Sequence, residues 1–245
     1  MACRCQHRSH SNQAVGNCFP VPKNLPPEEA VWFAFAKIAF HGALSANHHP
    51  GDRVLVIGAG PIGQMALRWA CAAGAQEIMV ADPIEARLTL AKSGGATTIL
   101  SMPLPEAREA ILKANGGILP RVVVDSTGNA KVFETALGLV QDFGTLVVLG
   151  DTGHPGQQAL TPDLITRGLH IVGAHDAHIT PTWNNATISR LFFSLAVTGR
   201  FSLAGLITHR FSPKNCADAY LVANRDRAST MGLLFDWTSE PGRKK

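Results

Sequence analysis

The sequence lacks the features of a membrane protein, a disordered protein or an exported protein. Its best candidate for a membrane span, residues 30–44, is interrupted by Lys37 and His41 and is shorter than the roughly 20 apolar residues that a bilayer requires. Charged residues make up only 16% of the chain and hydrophobic residues 46%, with a mean hydropathy of +0.09, which excludes intrinsic disorder. The first 13 residues are polar where a secretory signal would be apolar, so we expect a soluble protein located in the cytoplasm.

The chain also lacks a strong charge imbalance and a cysteine framework. Its 22 basic and 18 acidic side chains leave a net charge of +4, too weak a field to indicate a nucleic-acid partner. The five cysteines are an odd number, and Cys71 and Cys216 lie in apolar periodic segments. We therefore expect both to be buried free thiols in a reducing compartment.

Beyond residue 50, short apolar runs rich in β-branched residues alternate with amphipathic stretches, without internal repeats. This alternation predicts an α/β fold built from βαβ units. Runs such as VLVI and VVVD are apolar at every position, as is typical of parallel strands covered by helices on both faces. The predicted strands are 53–57, 77–81, 97–100, 122–125, 145–149 and 170–173. The predicted helices between them are 62–73, 85–93, 105–114, 131–139 and 161–166.

Both flanks depart from this alternation. A proline-rich entry opens a predicted helix over 27–44, with Glu28 and Glu29 near its positive end. After the sixth strand the pattern predicts a helix over 185–197, a strand over 206–211, a helix over 213–224 and a last strand over 231–235. These last elements are expected to belong to something beyond the main sheet.

The strand VLVI leads directly into Gly58, Gly60 and Gly63, spaced G-x-G-x-x-G, and then into a helical pattern. Gly58 permits the tight turn, Gly60 lets a pyrophosphate approach the backbone, and Gly63 lets the helix pack closely on the strand. Pro61 and Ile62 begin the helix, whose free N–H groups and dipole favour an anion. Because strand, glycines and helix occur in this order, the segment predicts a dinucleotide site rather than a glycine-rich turn alone.

The second predicted strand ends in Asp82, 19 residues after Gly63. A carboxylate there accepts hydrogen bonds from the adenosine ribose and repels a 2′-phosphate, so it favours NAD over NADP. Arg87, one helical turn further on, offsets part of that repulsion and leaves NADP as the alternative. A helix N-cap is a second role open to Asp82.

With these residues, the chain resembles the zinc-type alcohol, polyol and threonine dehydrogenases of the medium-chain dehydrogenase/reductase superfamily. The resemblance covers about residues 17–237 and rests on the order of several loose patterns. These are FPVPKNLPPEEA, FHGALSANHHPGDRVLVIGAGPIGQMALRWACAAGA, ADPIEARLTLAKSGGAT, VVVDSTG, GTLVVLG, ITHRFSPKNCADAY and MGLLFDW. It implies a doubly wound Rossmann sheet in the order 3-2-1-4-5-6. It further implies that Thr127, Gly128, Leu149 and Gly150 lie close to the adenine or nicotinamide side of the cofactor.

The zinc-binding part of that family is almost wholly missing from the sequence. Family members begin with a GroES-like domain that carries zinc ligands, and only remnants of it are expected at the two ends of this chain. A further ligand is usually a Glu in an E-P pair, but the matching positions are Ala34 and Phe35, which cannot bind zinc. We therefore find no zinc ligands, although the family implies a zinc ion.

Other histidines and cysteines are candidates to replace the missing ligands. The spacing of the N-terminal cluster does not match ordinary zinc sites, so we expect adventitious binding or none; its members are Cys3, Cys5, His7 and His10. His48 and His49 are expected in a solvated loop. The segment that follows the sixth strand is expected to be a hydrogen-bonded loop, with a polar site as the alternative; its members are His175, Asp176 and His178.

The resemblance implies NAD-dependent hydride transfer between an alcohol or polyol and the nicotinamide ring. We expect three parts: a polar segment over 1–26, an NAD-binding domain over 27–200, and a segment over 201–245 that returns to the catalytic domain. Because that domain is mostly missing, activity of this chain alone is open, and self-association into a homo-oligomer is expected. A catalytically silent NAD-binding module and a zinc-independent enzyme similar to the quinone reductases are the alternatives.

Overall fold

The computed structural model describes residues 18–239 and contains a six-stranded parallel sheet in the order β3-β2-β1-β4-β5-β6. This confirms the doubly wound α/β fold and the strand order that the resemblance implied. The strands are β1 Arg53–Ile57, β2 Glu77–Ala81, β3 Thr98–Leu100, β4 Val122–Asp125, β5 Thr145–Val148 and β6 His170–Gly173. The predicted strands agree to within one residue at each end.

Alternate side chains of the central strands enter two separate hydrophobic cores. Val54 and Val56 of β1 pack on one face with residues of the helices over 33–46, 61–72 and 185–197. Leu55 and Ile57 pack on the opposite face with residues of the helices over 108–114 and 130–137. All four are at most 3% exposed. Burial on both faces explains why these strands are continuous apolar runs rather than alternating ones.

Nine helices occur within residues 18–239, and most begin or end close to their predicted positions. They are α1 Pro27–Ala30, α2 Phe33–Ala46, α3 Pro61–Ala72, α4 Glu85–Ser93, α5 Arg108–Ala114, α6 Ala130–Leu137, α7 Asp163–Thr166, α8 Asn185–Val197 and α9 Cys216–Arg225. The helices predicted over 105–114 and 213–224 each begin instead as a separate 3-10 turn, Leu104–Glu106 and Pro213–Asn215.

The single helix predicted over 27–44 is wrong in one respect, because the structure divides it into α1 and α2. Val31 and Trp32 form a turn in which the Trp32 N–H bonds to Glu29 O at 3.2 Å, the tighter pattern of a helix end. The Trp32 side chain is 3% exposed and packs in the core. The helix is therefore divided next to Trp32, whose side chain is buried by tertiary packing.

The C-terminal segment forms a second, two-stranded parallel sheet from β7 Ile207–Phe211 and β8 Gly232–Phe235. Leu206 and Met231, which precede these strands, are buried in the main core. Gly232 lies against Trp32, since a Cβ at this position would be 2.6 Å from the indole. The N-terminal helices thus cover part of the apolar surface of the C-terminal segment.

Two properties of the described residues complete the fold. No helix within residues 18–239 combines the length and the apolar character needed to cross a membrane. Cys71 is half-buried and Cys216 is exposed, so the prediction that both thiols are buried is wrong for Cys216 and holds only in part for Cys71. Cys216 begins α9, an amphipathic helix in which Ala219 is the buried residue.

Candidate functional site

The glycine turn between β1 and α3 is held by contacts that exclude side chains at two of its positions. Gly58 has a φ of +89°, a conformation that favours glycine, and a Cβ there would be 2.7 Å from Ser126 Oγ. A Cβ on Gly63 would be only 1.8 Å from Gly58 O. Gly58 and Gly63 therefore permit the sharp turn and the close approach of α3 to β1.

The remaining glycine of the motif, Gly60, faces open space at the N-terminus of α3. A Cβ on Gly60, the N-cap residue, would meet only Arg87 Nη1, at 3.9 Å. The backbone N–H groups of Gly60, Ile62 and Gly63 have no hydrogen-bond acceptor among residues 18–239. Pro61 has no N–H and occupies the first helical position, where none is needed. Three free donors and the positive end of the helix dipole form an arrangement that fits a phosphate or pyrophosphate.

Asp82 lies directly after β2 and contacts the glycine turn. Its Oδ2 accepts a hydrogen bond from Ala59 N at 2.7 Å, and its Oδ1 accepts one from Ile84 N at 2.8 Å. Arg87 Nη1 is 3.8 Å from Oδ2, and the Asp82 side chain is 4% exposed. Asp82 is not the helix N-cap, because Ile84 occupies that position in α4. The structure brings Asp82 and Arg87 together with the turn.

The turns after β4 and β5 pack against each other beside the glycine turn. Gly128 has a φ of +67°, and a Cβ there would be 1.9 Å from Asp151 O; one on Gly150 would be 2.3 Å from Gly128 N. Leu149 contacts α2, where a Cβ on Gly42 would be 3.1 Å from its side chain. These residues thus lie at the carboxyl ends of adjacent strands, and their closeness to the adenine or nicotinamide side of the cofactor stays a prediction.

A buried carboxylate lies beneath these turns at the end of β4. Asp125 Oδ1 accepts hydrogen bonds from the Thr127 N–H and hydroxyl at 2.8 and 2.6 Å. Burial raises the pKa of Asp125, while the two hydrogen bonds from Thr127 oppose that rise. Thr127 is exposed, but its hydroxyl already donates to Asp125 and accepts a hydrogen bond from Asn129 N at 3.1 Å.

Sequence reasoning missed three residues that support the site. Ser126 Oγ donates to the backbone oxygens of Ile57 and Gly58, at 2.9 and 3.1 Å. Gln64 and Arg68 are completely buried polar residues of α3. The spacing of Gln64 and Arg68, i and i+4 in an otherwise apolar helix, is the sequence signal that could have indicated these two residues.

A polar cluster joins α2 to the loop that follows β6. Lys37 Nζ is 3.1 Å from Asp176 Oδ2, and His175 Nδ1 is 3.4 Å from Asp176 Oδ1. His178 Nδ1 accepts from His175 N at 3.4 Å, which gives the hydrogen-bonded loop that we expected. The hydrogen bond from Lys37 lowers the pKa of Asp176, and burial, followed by the Lys37 charge, lowers the pKa of His41.

The described residues do not fit a zinc ion. No group of three or more His, Cys, Asp or Glu side chains in residues 18–239 could hold a metal. Ala34 and Phe35, where the family pattern has a ligand, are exposed apolar residues of α2. The N-terminal Cys3, Cys5, His7 and His10 lie outside the described residues, so the prediction that concerns them stays a prediction.

One of the two histidines before β1 is not solvated, contrary to our expectation. The His48 side chain is 5% exposed, and its Nδ1 is 3.7 Å from Asp52 Oδ2. Arg121, which precedes β4, forms an ion pair with the same carboxylate. Burial therefore lowers the pKa of His48, although Asp52 opposes this effect. His49 is exposed, as expected.

Comparisons with known proteins agree with this architecture. A family model described as zinc-binding dehydrogenase matches residues 61–186, about half of the chain. Sorbitol dehydrogenase from Gallus gallus is 24% identical over 238 residues, which cover 96% of this chain and 64% of the relative. NADP-dependent isopropanol dehydrogenase from Entamoeba histolytica is 32% identical over 210 residues, which cover 82% of this chain and 55% of the relative.

The fold is also similar to solved structures. A protein from Escherichia coli CFT073 described as a short chain alcohol dehydrogenase, solved with NADH, aligns with a TM-score of 0.79 and 24% identity. The alignment covers 92% of this chain and 64% of that one. The chain thus spans about 55 to 64% of the length of these relatives. Given the family-model match and the shared fold, the chain belongs to the zinc-binding dehydrogenase family, within the medium-chain dehydrogenase/reductase superfamily.

Proposed function

We propose that the chain binds NAD(H) at the glycine turn and is the cofactor-binding and C-terminal part of an NAD-dependent alcohol or polyol dehydrogenase. One observation carries the proposal: the N–H groups of Gly60, Ile62 and Gly63 have no acceptor among residues 18–239, and the space over Gly60 is open, in a turn that contacts the carboxylate of Asp82. Free N–H groups at a helix N-terminus bind an anion, and a carboxylate beside them accepts hydrogen bonds from a vicinal diol. The pyrophosphate and the adenosine ribose of a dinucleotide supply both.

Each predicted site residue has a role in this proposal. The three free N–H groups hold the pyrophosphate. Asp82 already accepts two backbone hydrogen bonds, but a carboxylate has about four acceptor positions, so the ribose hydroxyls have positions left. Arg87 lies over Gly60 and contributes positive charge. The backbone turns after β4 and β5 enclose the remainder of the cofactor at the carboxyl ends of the strands; they contain Thr127, Gly128, Leu149 and Gly150.

The alcohol or polyol substrate is proposed from the named relatives, sorbitol and isopropanol dehydrogenases. When bound, the nicotinamide supplies the hydride-transfer chemistry, and the chain orients it. Because the described residues do not fit zinc, we derive no step through a metal. The division at residues 26 and 200, a cytoplasmic location and assembly into a homo-oligomer remain parts of this proposal.

Calorimetric titration with NAD⁺ and NADP⁺ tests the proposal. We expect tighter binding of NAD⁺, because a 2′-phosphate about 4 Å from Asp82 would meet a repulsion of about 4 kcal/mol per unit charge at an effective dielectric of 20, as an upper figure. Asp82→Asn should reduce the preference. Asp142→Asn, which changes an exposed carboxylate beyond the site, is the matched control and should leave both affinities unchanged.

Two results would contradict the proposal in different ways. Tighter binding of NADP⁺ by the wild-type chain would mean that Arg87, not Asp82, decides the cofactor. Binding of neither dinucleotide would reject the glycine turn as the cofactor site. Alcohol oxidation assayed on the same preparation then separates an active dehydrogenase from a silent binding module.

A further inference from the structure

We infer that Gln64 and Arg68 are positioning residues that hold the glycine turn in its dinucleotide-binding form and link it to the C-terminal segment. This inference rests on the proposed function, since it concerns the same site. Both side chains are buried beneath the turn, at 0% and 1% exposure. Neither lies in the open space over Gly60, so both act through other groups.

The first step is the contact between Gln64 and the turn. Gln64 Nε2 donates to Ala59 O at 3.1 Å and to Arg87 O at 2.9 Å. The Ala59 N–H is held by Asp82 Oδ2 at 2.7 Å. The peptide groups on both sides of Ala59 are therefore fixed, one by Asp82 and the other by Gln64.

Fixing the Ala59 carbonyl also fixes the direction of a free donor. In a planar trans peptide the Gly60 N–H points opposite to the Ala59 C=O. Since that carbonyl faces Gln64 in the interior, the Gly60 N–H faces outward, towards the open space at the helix N-terminus. Gln64 thereby orients one of the three donors proposed to hold the pyrophosphate.

The second step is the control of the Gln64 amide by Arg68. Arg68 Nη1 donates to both Gln64 Oε1 and Gln64 O at 2.8 Å. Because a guanidinium has only donors, it requires the oxygen of the Gln64 amide and leaves the NH₂ group for the two carbonyls. Burial lowers the pKa of Arg68 to about 10, so the side chain still carries its proton at neutral pH.

The third step leads from Arg68 to the C-terminal segment. Arg68 Nε donates to Ser202 O, in the connection between α8 and β7. Arg87 Nη2 makes a parallel link, donating to Arg227 O at 2.7 Å. Gly94 leaves the space for the Arg68 guanidinium, because a Cβ there would be 2.5 Å from Arg68 Cζ. Two arginine bonds thus connect the surroundings of the glycine turn to the segment after α8.

Substitutions that preserve shape but remove donors test this inference. Gln64→Glu keeps the acceptor for Arg68 but cannot donate to the Ala59 and Arg87 carbonyls, so we expect the Kd for NAD⁺ to rise about tenfold or more. Arg68→Met should weaken binding similarly, and Arg68→Lys, which restores a donor for Gln64 Oε1, should recover part of the affinity. Gly94→Ala displaces the guanidinium without changing either residue and should act in the same direction.

Asn115→Asp is the matched control. Asn115 is a buried amide whose Nδ2 donates to Ile118 O at 2.6 Å, and it follows α5, which packs on the opposite face of the sheet from α3. The Asn115→Asp substitution should lower the Tm without changing the Kd for NAD⁺. Hydrogen exchange of the ligand-free variants adds a readout that a general loss of stability does not move. In Gln64→Glu, exchange should accelerate at the turn relative to β1; in Arg68→Met, it should also accelerate near Ser202.

The outcomes separate this inference from the proposed function. Wild-type binding of NAD⁺ with an unchanged Kd in Gln64→Glu would overturn the positioning role and leave the dinucleotide site intact. Equal effects of Gln64→Glu and Asn115→Asp on Kd and Tm would show a structural role only and would also overturn it. A wild-type chain that binds no dinucleotide would overturn the proposed function and this inference with it. If Arg68→Met does not fold, the Kd for NAD⁺ of Gln64→Glu and of Gly94→Ala tests the positioning role instead.

Discussion

The second and third glycines of the motif allow a sharp test, because the structure predicts opposite consequences for side chains at Gly60 and Gly63. Gly60 has φ −69° and ψ −175°, a conformation open to any residue. A Cβ there meets no backbone atom within 4 Å. We therefore expect Gly60→Val to change the free energy of unfolding by less than about 1 kcal/mol.

The same substitution should abolish dinucleotide binding, because the valine side chain fills the space above the free N–H groups. A hydrogen bond to a charged group contributes about 1.5–3 kcal/mol. Losing two of the three donors would cost about 3–6 kcal/mol, which is about two to four powers of ten in Kd. Calorimetric titration with NAD⁺ measures the loss, and a ligand-free thermal melt establishes that the variant is folded.

Gly63→Ala, in contrast to Gly60→Val, should lower the stability of the fold. Its Cβ would lie 1.8 Å from Gly58 O, so α3 must move away from β1. Overpacking of this kind costs about 1–3 kcal/mol, which lowers the Tm of a chain of this size by about 2–4 °C for each kcal/mol. A folded Gly60→Val protein with wild-type affinity for NAD⁺, or a Gly63→Ala protein with an unchanged Tm, would refute the reasoning.

Three further predictions concern stability and metal content. Burial opposes ionisation of Asp52, but the hydrogen bonds from Arg121 and from the His49 N–H, together with the charge of Arg121, outweigh burial and lower the Asp52 pKa. The Arg121–Asp52 pair therefore stabilises the fold above the ordinary pKa of about 4, and this stabilisation is lost as the pH falls through the lowered value. Arg121→Met should cost about 1.5–3 kcal/mol in thermal melts at pH 7, and a deficit that persists undiminished at pH 2 would argue against this linkage. Phe192→Ala, at a fully buried core position, should cost about 3–5 kcal/mol in urea unfolding; a loss below 1 kcal/mol would mean that the core collapses around it. Purified protein should carry no stoichiometric zinc after dialysis, and one zinc per chain that is lost on substitution of Cys3 and Cys5 would show that the N-terminal cluster binds metal.

The sequence by itself determined the main sheet and the position of the glycine turn. VLVI and VVVD are apolar runs that suit strands buried on both faces, and their alternation with amphipathic stretches predicted a helix-covered parallel sheet. The position of the turn also follows from the local sequence, because Gly58 and Gly63 are required where this strand passes directly into a helix. Asp82 ends the second predicted strand, and its carboxylate contacts the glycine turn because β2 lies next to β1 in the sheet.

The tertiary structure alone decided which polar residues support that turn. Gln64 and Arg68 occur in the same helix, but their partners are the carbonyls of Arg87 and Ser202, which are 23 and 134 residues away in the chain. The burial of His48 likewise depends on Asp52 and on Arg121, which is 69 residues beyond Asp52. Patterns of hydrophobicity and turn residues report the local conformation of the backbone. They do not report which distant carbonyl or carboxylate a buried donor meets, because that pairing exists only after the strands and helices have packed together.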